Sequence, residues 1–155
     1  MYNYIKHDIQ FEKSLFMIND RLARILFTKF RGSCLSLQVE LGRRINVVRE
    51  KRVCKVCFCD VEHEKHFFFE CLEYDRDRIV LFDSLCELDD RLKCLNFRDR
   101  IHFDRLLSIL FGTGIGVDME GVDKEEEQYI MKQGFNWVAN YIKCIMSKRW
   151  HILNK

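Results

Sequence analysis

The sequence predicts a mostly α fold: a small single-domain helical bundle with one short β-hairpin inserted after the second helix. Three observations predict it. Proline is absent from the 155 residues, so no helix loses a backbone donor or meets a ring clash. Apolar residues recur at helical spacing through 14–30, 74–88 and 123–150. A short β-rich, cysteine-bearing run at 53–61 interrupts that pattern once. Thirteen Phe and two Trp supply bulky core material, and the length suits one domain over 1–155.

Residues 1–13 are mixed and polar and are expected to fray. The first helix, 14–30, takes Leu15, Ile18, Leu22, Ile25, Leu26 and Phe30 as its inward stripe, with Asn19, Asp20, Arg21 and Lys29 opposite. Gly32-Ser33 ends it. A short second helix at 34–41 stops at Gly42 and completes the N-terminal helices of 14–42. A basic approach, 43–52, leads into the hairpin at 53–61 and an aromatic return at 66–71; together 43–74 make the second stretch. The C-terminal helices occupy 75–155. One covers 74–88 with Ile79, Phe82, Leu85 and Cys86 inward, and another covers 98–111. Gly112, Gly114, Gly116 and Gly121 then mark a loop. The last helix, 123–150, starts at Asp123 as its cap and carries three glutamates in its first turn, where the helix dipole favours them. Its stripe is Ile130, Trp137, Val138, Tyr141, Ile142 and Ile145. Neither this helix nor the first is stable alone in water, so both are expected in one core, with Leu22 and Ile142 inside it.

Composition narrows the function. With 48% hydrophobic and 32% charged residues the chain is globular. Its longest uncharged run, 106–117, is too short to span a membrane. No cationic-then-apolar leader is present, so an intracellular location, nuclear or cytoplasmic, is expected. The chain is shorter than a polymerase, kinase or dehydrogenase domain, and no small-molecule substrate is expected. The net charge is only +2, but it is unevenly spread. Seven basic residues face Glu40 and Glu50 in 29–54, eleven acidic residues face Lys65, Arg76 and Arg78 in 60–90, and five basic residues stand unopposed in 132–155.

The eight cysteines are 34, 54, 57, 59, 71, 86, 94 and 144. Without a leader, disulfides are disfavoured, because the cytosol keeps thiols reduced. Four cysteines instead crowd into 54–71 with His63 and His66. Cys54-x2-Cys57-x8-His66-x4-Cys71 is the strongest signal in the chain. Two cysteines two residues apart can grip one ion from a tight turn, and a later His and Cys close the tetrahedron. Thiolate and imidazole are ligands that zinc prefers. Four protein ligands leave no open position, so the expected role is one structural Zn2+ in a CCHC zinc knuckle. Cys59 competes with Cys57, and His63 with His66. His66 is preferred because it opens the apolar run, whereas His63 lies among Asp60, Glu62, Glu64 and Lys65.

These residues carry a resemblance. From 30 to 78 the chain has Phe30-Arg31-Gly32-Ser33, Leu37, Val39-Glu40, Gly42-Arg43 and Arg52-Val53-Cys54-x2-Cys57. It continues with Val61-Glu62, Glu64, His66-Phe67, Cys71, Tyr74 and Arg78. This resembles the zinc-binding segment that follows the reverse transcriptase domain in LINE-type (non-LTR) retrotransposon proteins. The resemblance implies a non-catalytic, nucleic-acid-associated module with Cys54, Cys57, His66 and Cys71 as ligands. It departs at Cys34, where a histidine is often found, and at Arg44, where an aromatic is common.

Arg43, Arg44, Arg49, Lys51 and Arg52 immediately precede the first ligand and are candidates for phosphate contact. Phe58, Phe67, Phe68 or Phe69 could offer a face to an unpaired base, although core packing is the stronger expectation for phenylalanine. The expected function is nucleic-acid binding, with RNA or DNA as partner and no enzymatic activity. The alternative is a helical protein-interaction module whose zinc is purely structural. Other features carry little. Leu88-Asp89-Asp90 lacks the hairpin and the third carboxylate of a polymerase site. His63-Glu64-Lys65-His66 falls one residue short of H-E-x-x-H. Gly112-Thr113-Gly114-Ile115-Gly116 lacks the Lys-Ser/Thr of a phosphate loop. Cys86, Cys94 and Cys144 read as core thiols, and His7, His102 and His151 have no evident partner.

Overall fold

The structure, a computed structural model, describes residues 14–88 and 123–155. The expected helix at 98–111, the glycine loop, Asp89-Asp90, Cys94, His7 and His102 lie outside the described residues. Helix accounts for 73% of what is described, and the mostly α class is observed. The elements are α1 (Ser14–Met17), α2 (Arg21–Arg31), α3 (Gln38–Arg44), a 3-10 turn (Arg49–Lys51), a π turn (His66–Glu70), a second 3-10 turn (Leu72–Tyr74), α4 (Asp75–Leu88) and α5 (Lys124–Leu153). Of the hairpin, only one isolated antiparallel bridge between Val53 and Val61 forms, with no strand among the described residues. No helix among them is long and apolar enough to cross a membrane.

The first expected helix is two. Asp20 accepts a hydrogen bond from the Ala23 N–H at 2.7 Å and caps α2, so the chain restarts there. The gap at 18–20 is latched to α5. Asn136 accepts from the Asn19 N–H at 2.9 Å and donates to the Met17 carbonyl at 2.7 Å. Lys143 pairs with the other Asp20 oxygen at 2.7 Å, and that pairing lowers the Asp20 carboxyl below its usual range. At its far end α2 stops at Gly32 as expected, with the Gly32 N–H on the Thr28 carbonyl and Ser33 in the left-handed region.

Helix α3 starts later than expected and runs through Gly42 to Arg44. Gly42 does not end the helix; it clears space. A Cβ there would lie 2.7 Å from Arg52 Cγ, so the missing side chain lets Arg52 cross the helix. Asp123 precedes α5 but makes no side-chain capping bond.

One core joins α2, the π turn, α4 and α5. Phe27 meets Phe135 edge to face at 5.9 Å, Phe30 packs on Phe68 at 5.3 Å, and Phe68 packs on Tyr141 at 4.9 Å. Val138, Ile142 and Ile145 are fully buried, as the α5 stripe predicts. The inward faces of the two shorter helices differ from expectation. Ala23, Phe27 and Phe30 face the core while Leu22 is 52% exposed, and Leu81, Phe82 and Leu85 are buried while Ile79 is 50% exposed. The 18–20 break rotates α2 relative to a continuous helix, which turns Leu22 outward.

Ile142→Asp therefore unfolds the protein, whereas Leu22→Asp leaves its melting close to the parent's, because only the first places a carboxylate in a dry core. Phe135→Ala costs about 3–5 kcal/mol in chemical denaturation.

Candidate metal centre

The connection 45–65 has little regular structure, and its geometry is set by a few backbone bonds. The Glu62 N–H donates to Arg52 O at 2.9 Å and the Cys54 N–H to Asp60 O at 2.8 Å, folding 52–62 back on itself. The Phe58 N–H donates to Cys54 O at 2.9 Å and closes a tight turn over 54–58. This turn brings Cys54 and Cys57 together. The other half of the site is a π turn. The Cys71 N–H donates to His66 O at 2.7 Å, five residues back, so His66 and Cys71 stand one turn apart on the same side. Its free carbonyls are not left bare. Arg78 donates to Phe68 O at 3.0 Å and to Cys71 O at 2.7 Å, and the Tyr141 hydroxyl donates to Phe68 O at 2.9 Å.

The result is one cluster. The Sγ atoms of Cys54, Cys57 and Cys71 and a ring nitrogen of His66 lie within 4.8 Å of one another. Cys57 Sγ and His66 Nε2 are 3.2 Å apart. Cys54, His66 and Cys71 are buried and Cys57 is half-buried, so the cluster can hold a metal ion. Its electrostatics fit a cation. The hydrogen bond with Cys71 holds the Cys54 thiol down to about 3 and pushes Cys71 up, while burial raises Cys57. Burial works against the His66 imidazolium, but the bond to Cys54 and the negative charge of Cys54, Asp60 and Glu70 together raise the ring. Three thiols this close cannot all ionise without a compensating positive charge.

The competing donors are placed elsewhere. His63 Nδ1 accepts the His66 N–H at 3.0 Å and orients that residue. Cys59 is exposed and its thiol donates to Cys57 O at 3.1 Å. Asp60 and Glu70 approach His66 as a second donor group. Both carboxylates are exposed, and Glu70 pairs with Lys65 at 3.0 Å.

Around the cluster lies a residue pair that sequence reasoning missed. Glu62 is fully buried. It accepts from Arg149 Nε at 2.7 Å and Nη2 at 2.8 Å and from the Gln38 N–H at 2.7 Å, and Cys54 Sγ lies 3.7 Å from it. One carboxylate thus joins α3, the first thiol and the end of α5.

The basic approach is mostly outward. Arg43, Arg44, Arg49 and Lys51 are exposed. Arg43 and Arg44 pair with Glu40 at 2.7 and 3.7 Å. Arg49 and Lys51 make no ion pair with another described residue. Arg52 differs: its guanidinium donates to Val47 O and Val39 O, each at 2.8 Å. Arg43, Arg49, Arg52, His63 and Glu64 line an open hollow of about 530 Å³ beside the cluster. Of the four candidate rings, Phe67, Phe68 and Phe69 are core and Phe58 is exposed. No family model, curated protein or solved structure matches the chain.

Removing one partner of the buried pair leaves the other charged and dry. Glu62→Gln and Arg149→Met are each expected to lower stability by about 3–5 kcal/mol, and the double variant by less than their sum. Urea denaturation of the three proteins checks this.

Proposed function

We propose that the chain is a non-catalytic nucleic-acid-binding module built on one structural Zn2+ held by Cys54, Cys57, His66 and Cys71. Three thiolates and an imidazole are a donor set that zinc favours over harder cations. Tetrahedral zinc thiolates set neighbouring sulfurs about 3.8 Å apart, and the four donor atoms already stand within 4.8 Å of each other. Four protein ligands leave no position for a reacting water, which argues for a structural ion. A knuckle over 53–61 is the finer form of the fold that a bound ion would stabilise.

The observation that carries the nucleic-acid reading is where the acids go. Glu62 pairs with Arg149, Asp77 with Lys148, Asp75 with Arg78 and Glu70 with Lys65. Among the described residues, no acid of 60–88 pairs with the approach. Arg43, Arg44, Arg49 and Lys51 therefore face solvent as a cationic strip next to the cluster, the arrangement that phosphate contact needs. Arg52 has the different role of holding the connector against α3. The resemblance to the zinc-binding segment of LINE-type reverse transcriptase proteins supports the same reading.

Two measurements test it. Native mass spectrometry is expected to find one zinc per chain, lost on Cys57→Ser and kept on Cys144→Ser; a folded, metal-free parent defeats the zinc assignment. In a binding titration, replacing Arg43, Arg44, Arg49 and Lys51 with alanine is expected to weaken RNA and DNA binding uniformly and to flatten its salt dependence, with zinc content unchanged. Equal binding by parent and variant favours the protein-interaction module instead.

A further inference from the structure

We propose that Phe58 is a base-stacking residue that presents its ring to an unpaired nucleobase of a single-stranded nucleic acid; the proposal rests on the nucleic-acid reading above. Phe58 is 74% exposed, although it follows directly on Cys57 in the tightest part of the chain. Its φ is 59°. Among the described residues, the other two non-glycine residues in that region, Ser33 and Asn46, have short polar side chains. A bulky aromatic there is an outlier, since Cβ crowds the backbone and glycine would sit without strain. The conformation closes the turn that brings Cys54 and Cys57 together, which glycine would also do, but the aromatic side chain contacts no other ring among the described residues. Costly backbone conformations of this kind cluster at binding sites.

The turn fixes the backbone that carries the ring. The Phe58 N–H donates to Cys54 O at 2.9 Å, and the Cys59 thiol donates to Cys57 O at 3.1 Å. With its point of attachment preset, only the ring's two side-chain torsions are left to order when it stacks. The charge around it selects the occupant. Lys55 is exposed in the same turn, which follows directly in sequence on the exposed Arg49 and Lys51 of the approach. Asp60, the acid nearest in sequence, turns one oxygen to the Val61 N–H at 2.6 Å. An exposed ring with a cation in the same turn suits a chain of phosphates with free base faces. A duplex, whose bases are already stacked, offers it nothing.

The test is fluorescence anisotropy with a labelled oligouridylate and a labelled blunt RNA duplex. Phe58→Ala is expected to weaken oligouridylate binding about fivefold or more. Its salt slope stays at the parent's value, because stacking releases no counterions. Phe58→Trp retains affinity, and duplex binding does not change. Phe58→Gly melts above the parent, having shed the strain, yet binds as weakly as Phe58→Ala. If Phe58→Ala binds the oligouridylate like the parent while the four-cation variant does not, the approach acts alone and the proposal is overturned. If Phe58→Ala weakens single strand and duplex equally, or loses zinc, the ring is structural and the proposal is again overturned. A parent that binds neither probe overturns the nucleic-acid reading itself, and this proposal with it.

Discussion

The buried contact between Glu62 and Arg149 is the constraint on which the described fold turns. A carboxylate with no exposure is tolerable only if every lone pair is used. Glu62 meets that condition through the two nitrogens of Arg149 and the Gln38 N–H, with Cys54 Sγ 3.7 Å away. The donors come from the C-terminal helix and the start of α3, and the metal cluster lies against the same group. Each is placed by satisfying the same group, so none can shift without leaving a charge or a donor unpaired in a dry site. Burial works against the Arg149 charge, yet the hydrogen bonds and charge of Glu62 raise its pKa above the usual value, so Arg149 stays charged.

That arrangement explains how a poorly regular segment acquires a defined shape. Residues 45–65 contribute few side chains to the core; Cys54 and Val56 are the buried apolar ones. What fixes the segment is polar. Arg52 bonds two carbonyls across α3, Glu62 anchors to α5, and Arg78 and Tyr141 hold the carbonyls of the π turn. An ion between the four donors would add a covalent-strength tie between the 54–58 turn and the π turn, and its binding free energy would be folding free energy for this region. Cys54 Sγ lies 3.7 Å from Glu62, so that tie would sit directly beside the anchor to the long helix.

The long helix and the donor set were legible in the sequence for the same reason: both are written in short-range spacing. The α5 stripe at Val138, Tyr141, Ile142 and Ile145 lies inward as its period predicts, and Cys54, Cys57, His66 and Cys71 converge as theirs does. The break at 18–20 had a local signal in Asn19-Asp20, a capping pair that the continuous apolar spacing masked. Ile79 fits a helical stripe yet is half exposed, because Arg78 beside it is drawn inward to the π-turn carbonyls. The π turn itself has no signature, since five-residue hydrogen bonding follows from the packing of Phe67, Phe68 and Phe69 and from no residue preference. Glu62 was illegible for a different reason. It sits in a charged run that reads as a solvated turn, and its partner is 87 residues away.

The three charge blocks of the sequence resolve into a division of labour. The acidic block of 60–88 is engaged partly by its own cations, Lys65 and Arg78, and partly by the basic end of α5, through Lys148 and Arg149. These contacts close the fold. The exposed cations of the approach are left with Glu40 as their ion-pair partner among the described residues, and the side chain of Arg43 remains 70% exposed in that pair. Solvent-exposed pairs of this kind contribute little to stability, so giving one up for a phosphate costs the fold little. Phosphate contact by Arg43, Arg44, Arg49 and Lys51 would therefore draw on none of the charges that hold the cluster and the long helix together. Arg52, in the same segment, serves the fold instead through its bonds to Val47 O and Val39 O.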